Sequence, residues 1–526
     1  MRILIHGINF APELTGIGKY SGEMAEWLAA QGHEVRVVTA PPYYPQWRIA
    51  DGYANAWRKE QVQGEGQGQG IRVKVQADVK TLEPCALPLA PVVVYRCPLW
   101  VPEKPSGLKR LLHLGSFALS SIPVMLRQIF WRPDVVWVVE PPLFCAPMAW
   151  LVARLSGGKA WLHIQDYEVD AAFDLGLLKG AVLRGMVTAG ERWLMRRFDR
   201  VSTISQRMVD RALAKGVAPE RAVLFPNWVD IKQDQGSRCK VQGENQGQGS
   251  SSKVQGENQG QGSSSKVQGE NQVQGSSSKV QDKASNYRAE LEISEDAVVA
   301  LYSGNMGGKQ GLEILAQVAK IQVQEARCKW QETRFKAQET RFKAQDTRFK
   351  AQAKQSERSL APCTLPLVPE IIFVFCGNGA GRAELVVLCE GLGNVRFLDL
   401  QPLERLGELL SFADIHLLPQ RADAADLVMP SKLTGMLASG RPVVATANEG
   451  TELANVVSGC GMVVPPEQPH AFLDAIMILA KDAELRRQLG CAGRAYAVAN
   501  LDRDAVLGRF EAELKAVTRC KIQGID

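Results

Sequence analysis

The sequence predicts an α/β protein built from two Rossmann-like, doubly wound domains facing across a cleft and interrupted by low-complexity insertions. Three observations predict it. Short apolar runs alternate with amphipathic helical stretches in both halves of the chain, and a glycine-bearing loop joins strand to helix in each half. Repetitive or polar stretches interrupt this pattern without changing it on either side.

Those interruptions have to be set aside before the rest can be read. A 13-residue unit rich in Gln, Gly, Ser and Asn runs three times, from Lys240 to Ser252, Lys253 to Ser265 and Lys266 to Ser278. It has almost nothing to bury and is expected to be disordered. A second array, TRFKAQE-TRFKAQD-TRFKAQA, covers Thr333 to Ala353 with a period of seven, and its single Phe per heptad is too thin a seam for a coiled coil. RCKVQ at Arg238, RCKWQ at Arg327 and RCKIQ at Arg519 share one pattern, as do CALPLAP at Cys85 and CTLPLVP at Cys363. One cassette in several unrelated places reads as a mobile sequence that entered surface loops; functional linkers or partner-binding tails are the alternative. Long loops cost little closure entropy, so the host tolerates them. Without residues 61–91, 232–283 and 326–363, about 405 residues remain, enough for two ordinary α/β domains. The predicted layout is an N-terminal domain over 1–230, a repeat insert over 231–283, a C-terminal domain over 284–490 and a closing helix and tail over 491–526.

In the N-terminal half, Arg2–Gly7 is a strand, NFAPELTGIG a loop and Lys19–Gln31 a helix stopped by Gly32. Strands follow at Glu34–Thr39, Val92–Cys97, Val135–Glu140, Trp161–Gln165 and Val201–Ile204. The C-terminal half repeats the scheme with strands at Ala297–Ser303, Ile371–Cys376, Val395–Leu398, Ile415–Pro419 and Pro442–Thr446. Its helices are Leu312–Lys320 and Lys432–Ser439, and Leu485–Val498 with Ala505–Val517 is expected to finish that domain. Two such halves joined near Phe225–Asp230 imply a ligand cleft between the strand C-terminal edges.

Composition narrows the function classes. The net charge of +6 equals the excess between Ala326 and Cys363, where ten Lys/Arg face four Asp/Glu, so the remaining chain lacks the basic footprint of a nucleic-acid binder. Eleven cysteines without a C-x-x-C pair predict reduced thiols in a cytoplasmic protein, with neither a disulfide framework nor a metal site. MRILIHGINF reads as a first strand and not as a targeting segment. The uncharged stretch between Arg110 and Arg127 is shorter than the ~20 residues that span a bilayer, which predicts a buried helix or a peripheral membrane face.

Several loops carry candidate chemistry. Gly16 and Gly18 in TGIGKY let backbone N–H groups approach an anion, with Tyr20 beside them, although a plain tight turn gives the same pattern. SGNMGGKQGLE offers Asn305, Gly307 and the cation Lys309 to a diphosphate, and Gly377 opens the parallel loop GNGAG. Ser431 is expected to cap the next helix, with Lys432 turned to the cleft. Gly450 and Thr451 in EGTELA present N–H groups for phosphate. In HIQDYEVD, Asp166, His163 and Asp170 are the polar candidates after a strand, and a core role suits His163 as well.

The segments GINFAPELTGIGKYSGEMAEWLA, HIQDYEVDAAFDLGLL, YSGNMGGKQGLE and above all PSKLTGMLASGRPVVAT resemble the retaining two-Rossmann-domain (GT-B) glycosyltransferases of exopolysaccharide assembly. Within them the likeness is to the colanic-acid type often described as a fucosyltransferase, and it covers essentially everything outside the inserts. The resemblance implies a nucleotide-diphospho-sugar donor, a GDP-sugar such as GDP-fucose in this subgroup, held by the C-terminal domain. It implies a glycan or lipid-linked acceptor on the N-terminal domain near Asp166, Asp170 and Tyr20. Leaving-group stabilisation would fall to Lys309 and backbone N–H groups, with no cofactor or metal. The wider family usually carries two glutamates with seven residues between them, the second contacting the donor ribose. Leu427 and Gly435 stand at those positions here, leaving Ser431, Lys432 and Asp426 as substitutes. The colanic-acid-like subgroup shares this altered segment. Two other readings stay open, a nucleotide-sugar epimerase or hydrolase of the same fold and a non-catalytic scaffold binding partners through its repeats.

Overall fold

A computed structural model describes residues 1–13, 16–44, 46–62, 91–103, 107–167, 169, 181–231, 287–307, 310–326, 370–422 and 430–519. The repeat arrays, Lys309, Asp170, Asp426 and Leu427 lie outside the described residues.

Two sheets carry the molecule. The N-terminal sheet has the strands β1 (Arg2–His6), β2 (Glu34–Thr39), β3 (Arg58–Val62), β4 (Val92–Arg96), β5 (Val135–Glu140), β6 (Lys159–Ile164), β7 (Arg200–Thr203) and β8 (Ala222–Leu224). Their spatial order is β3-β4-β2-β1-β5-β6-β7-β8, parallel throughout except for the antiparallel edge strand β3. The C-terminal sheet is parallel, with β9 (Val298–Ser303), β10 (Ile371–Cys376), β11 (Val395–Leu398), β12 (Ile415–Leu418), β13 (Val443–Thr446) and β14 (Gly461–Val464) ordered β11-β10-β9-β12-β13-β14. Runs such as VVWVVE, VVALYS and IIFVFC are buried along their whole length, as strands covered on both faces must be.

Side-chain alternation divides each strand between two layers. Leu4, Val136, Val138 and Leu162 face the helices Gly107–Gln128, Ala146–Ser156 and Ala181–Met195. Ile3, Ile5, Trp137 and Trp161 face the helix Gly16–Ala30 and, unexpectedly, the C-terminal helix Arg503–Arg519. Phe510 of that last helix stacks on Phe225 at 4.4 Å and meets Trp161 edge-on at 5.1 Å. The segment expected to finish the C-terminal domain therefore completes the N-terminal core. Its apolar face, Val506, Leu507, Phe510, Leu514 and Val517, gives the helix period but not the partner sheet.

The chain thus crosses between domains twice, and the crossings lie side by side. Val229 pairs with Asp502, accepting from the Arg503 N–H at 3.0 Å and donating to the Leu501 carbonyl at 2.9 Å. Arg503 also pairs with Asp230 at 2.9 Å.

Among the described cysteines, Cys97, Cys145, Cys376, Cys389 and Cys460 are buried free thiols, whereas Cys491 is disulfide-bonded. The expectation of reduced thiols throughout is corrected at that one position; no other cysteine lies near Cys491 in the sequence to mark a bridge.

Candidate active site

Both strand orders reverse direction once, between β1 and β5 and between β9 and β12, and parallel sheets bind ligands at the strand C-terminal ends beside such reversals. In the C-terminal domain two glycine loops leave this edge and lie against each other. Gly304 N–H donates to the Cys376 carbonyl at 3.0 Å, Met306 N–H to Asn378 at 2.9 Å, and Gly381 N–H to Met306 at 2.8 Å. The approach needs bare glycine: a Cβ on Gly377, at φ +143°, would stand 1.9 Å from the Gly304 carbonyl oxygen, and one on Gly379 would stand 2.5 Å from that of Met306. Gly377 is therefore a packing glycine that brings the two loops together.

Lys432, the first residue of the helix Lys432–Ala438, reaches over this loop pair. Its Nζ donates to the Tyr302 hydroxyl at 3.2 Å and lies 4.2 Å from the ring centre, while that hydroxyl donates to the Asn305 carbonyl at 2.6 Å. Among the described residues no carboxylate pairs with Lys432, and burial pushes its ammonium down to about 7. A partly buried cation with aromatic but no described anionic company is matched by an anionic ligand. Gly304 stands at φ +130°, a backbone conformation that favours glycine, and Lys432 Cδ lies 3.4 Å from where its Cβ would be. Gly307 and the exposed Asn305 complete the rim, where Gln310 Oε1 is buried without a hydrogen-bond donor.

Across the cleft, the loop after β1 is pinned by Arg96, which donates to the carbonyls of Ala40 at 3.0 Å and Ala11 at 2.6 Å. At its end the buried Glu13 accepts from the Tyr43 and Tyr44 N–H groups, both at 3.1 Å, and from Asn9 Nδ2 at 2.8 Å. Burial pushes the Glu13 carboxyl up, against those bonds and Arg96, which pull it down. Gly18 makes room, for a Cβ there would lie 2.6 Å from Glu13 Cβ, whereas Gly16 has open space and φ +60°.

The family can be read at this point. The family of Glycosyl transferase 4-like domains matches residues 15–228, and that of Glycosyl transferases group 1 matches residues 341–496. An Escherichia coli K12 protein named as a colanic acid biosynthesis glycosyl transferase, WcaI, is 36% identical over 98% of this chain and 100% of its own. The chain is a group 1 glycosyltransferase. A D-inositol 3-phosphate glycosyltransferase of Corynebacterium diphtheriae is 33% identical over 24% of this chain and 30% of its own. Among solved structures, sucrose-phosphate synthase from Thermosynechococcus elongatus shares the fold with a TM-score of 0.58 at 15% identity, covering 98% of this chain and 99% of that one. Anabaena HepE in complex with UDP and glucose shares it with a TM-score of 0.55 at 12% identity, covering 98% of this chain and 100% of that one. The two facing parallel sheets are the GT-B arrangement.

Other predicted site residues of this glycosyltransferase take different places. His163 is 2% exposed, stacked on Trp137 at 5.1 Å and hydrogen-bonded to Ser202 at 2.9 Å, and burial pushes it down to about 3. It is a neutral core residue and not a catalytic one, because its side of β6 faces the helix Arg503–Arg519. Asp166 stands half-exposed just past the C-terminal end of β6, on the edge that carries the Glu13 loop. Tyr20 is buried under Trp228, their rings 5.1 Å apart, and its hydroxyl bonds Thr434 of the opposite domain, so it ties the domains instead of lying open to an acceptor.

Ser431 does not cap its helix; it is exposed, at φ −58° and ψ −27°, and a helical backbone aims Oγ away from the first-turn N–H groups. Thr451 does cap one, its hydroxyl accepting from Ala454 N–H at 3.2 Å and donating to the Asn448 carbonyl at 2.9 Å. Its own N–H donates to Asn448 at 3.3 Å, so Thr451 is not a phosphate donor here. Gly450, at φ +76°, gives its carbonyl to the Arg207 guanidinium. The sequence alone does not single out Glu13, Tyr302 or Arg207. For Glu13 there was a signal, a lone acid between apolar residues before the glycine pair.

Proposed function

We propose that this glycosyltransferase moves a sugar from a nucleotide-diphospho-sugar, GDP-linked by the subgroup resemblance, to a lipid-linked oligosaccharide or glycan in exopolysaccharide assembly, with retention of configuration. The observation that carries the reading is Lys432, a partly buried cation without a described carboxylate partner above two stacked glycine loops. That arrangement suits a diphosphate. The name of the E. coli relative supports the pathway, and its similarity spans both chains almost completely.

The acceptor hydroxyl attacks the anomeric carbon on the face that the nucleotide leaves, and its proton passes to the departing phosphate oxygen. Charge grows on that oxygen in the transition state, where Lys432, Lys309 and loop N–H groups stabilise it. Asp166 lies on the acceptor side, placed to hold a sugar hydroxyl. Gly435 stands where the wider family has its ribose-binding glutamate, and a Cβ there would meet Leu410 at 3.1 Å, so ribose is held by other groups.

The test is nucleotide-diphosphate release across GDP-, UDP-, ADP- and dTDP-sugars, with and without lipid-linked and soluble glycan acceptors. One donor is expected to react, faster with acceptor, and Lys432→Ala to lower kcat/KM by about 100-fold or more. Release unaffected by acceptor would make the enzyme a hydrolase. No release from a folded protein would favour the scaffold reading.

A further inference from the structure

The three helices on the outer face of the N-terminal sheet, Gly107–Gln128, Ala146–Ser156 and Ala181–Met195, form one layer over a common core. Their inward side chains are accounted for; their outward ones are unusual for a soluble surface. Leu112, Leu119, Met186 and Trp193 are exposed, as is Phe130 in the 3-10 turn Ile129–Trp131 that follows the first helix, Leu119 by 70% and Phe130 by 88%. Trp57 joins them, donating from Nε1 to the Ser120 carbonyl while 60% of it stays exposed. Large apolar residues gathered on one face mark an interaction surface, whereas scattered ones do not.

Charge on this layer runs one way. Arg110, Arg127, Arg154, Arg192 and Arg197 are all exposed, and among the described residues none pairs with a carboxylate. The three helices contain a single acid, Glu191, which is buried and bonded to Lys215. Arg197 lies over Trp193, 4.0 Å from the ring centre, and 5.4 Å from that of Trp150, beside a surface basin of about 670 Å³ lined by Arg184, Arg192, Trp193, Arg196 and Arg197. No described helix is long and apolar enough to cross a membrane.

We infer that this helical layer rests on an anionic phospholipid bilayer, with leucines and aromatics entering the headgroup zone and the arginines meeting lipid phosphates. Tryptophan with an adjacent guanidinium suits that depth, one side apolar and the other wet. A second copy of this chain does not explain uniform positive charge around an apolar centre, since copies sharing the face would repel. The inference rests on the lipid-linked acceptor proposed above for its purpose, but not for its chemistry.

The test sediments the full chain with phosphatidylcholine vesicles containing or lacking phosphatidylglycerol. Partitioning is expected to be at least about tenfold stronger on the anionic vesicles and to weaken with salt. Arg192→Gln with Arg197→Gln should lower it by about tenfold, and Leu119→Asp with Phe130→Asp should abolish it. All four changes are on the surface and should leave the melting temperature and transfer to a soluble acceptor unchanged, as should Ile478→Asp on the other domain. Equal binding to both vesicle types, no binding, or variants that bind like the parent would overturn the inference. So would a dimer in sedimentation equilibrium that Leu119→Asp dissolves. A chain that binds vesicles but releases no nucleotide would instead overturn the transferase reading, and the converse result would leave that reading standing.

Discussion

Lys432 and Tyr302 are 130 residues apart in sequence, yet the ammonium of one lies 3.2 Å from the hydroxyl of the other. The contact holds a cation in a place that disfavours its charge. Lys432 sits near 7, well below the ordinary lysine value, so at pH 8 it is mostly neutral in the empty site. A diphosphate favours the ammonium, and binding must therefore take up a proton. Affinity for nucleoside diphosphate should fall as pH rises above 7, by up to about tenfold per unit. Titration calorimetry in buffers of different ionisation heat would register the uptake, and Lys432→Met should lose it. Uptake that survives in Lys432→Met would assign the proton to another group.

A second contact concerns closure. The Glu452 carboxylate accepts from the Gln206 and Arg207 N–H groups at 3.1 and 3.2 Å, joining the domains at the start of the helix Gln206–Ala214. A charged acceptor at a helix N-terminus is favoured, so Glu452→Gln should shift the balance toward the open form. Small-angle scattering should show a larger radius of gyration, with apparent donor affinity lowered by roughly three- to tenfold. An unchanged scattering curve would mean that the tie is incidental.

Gly377→Ala should be costly despite adding one methyl group. The new Cβ meets the Gly304 carbonyl, and the backbone stands at φ +143°. Thermal or denaturant unfolding should show a loss of about 2 kcal/mol or more, with donor binding lost before the N-terminal domain is affected.

His163→Ala separates a core residue from a catalytic one. Emptying the space between Trp137 and Phe225 should cost about 2–4 kcal/mol of stability. The pH–rate profile of the folded variant should match the parent between pH 5 and 8, because the buried ring does not titrate there. A lost limb in that profile would return His163 to the chemistry.

Excision of Lys240–Ser278 tests the repeats. Shortening a long loop changes closure entropy by no more than about 1 kcal/mol, so unfolding and transfer should be nearly unchanged. Abolished activity with a preserved fold would support the partner-binding alternative.

The fold was largely legible because its strands are written locally: Glu34–Thr39, Val135–Glu140, Ile371–Cys376 and Val395–Leu398 have the expected bounds. The charged edge strand Arg58–Val62 was not, since edge strands carry residues that look like loop, and Gly461–Val464 opens on a glycine after Ser-Gly-Cys, which reads as a turn. The site was less legible for a related reason. Thr451 and His163 are polar residues in suggestive loops whose bonds are taken up by a cap and by the core, and only the fold decides that. Conversely, what sets Lys432 apart is the burial it shares with Tyr302, and what sets Glu452 apart is a helix of the other domain. Contacts of that span leave no periodicity to read.

The paired crossings at Val229–Asp230 and Leu501–Arg503 have a mechanical consequence. A single tether would let one half swivel like a ball in a socket, whereas two adjacent pins define an axle. Swinging about the line of the two crossings is the motion they favour, and it returns the same loops to the same opposite loops. The second pin continues into Phe510 and its neighbours, buried in the far half. A protease cut within 232–286 would therefore nick the molecule without parting it: the fragments would run separately in a denaturing gel and as one particle in a native column.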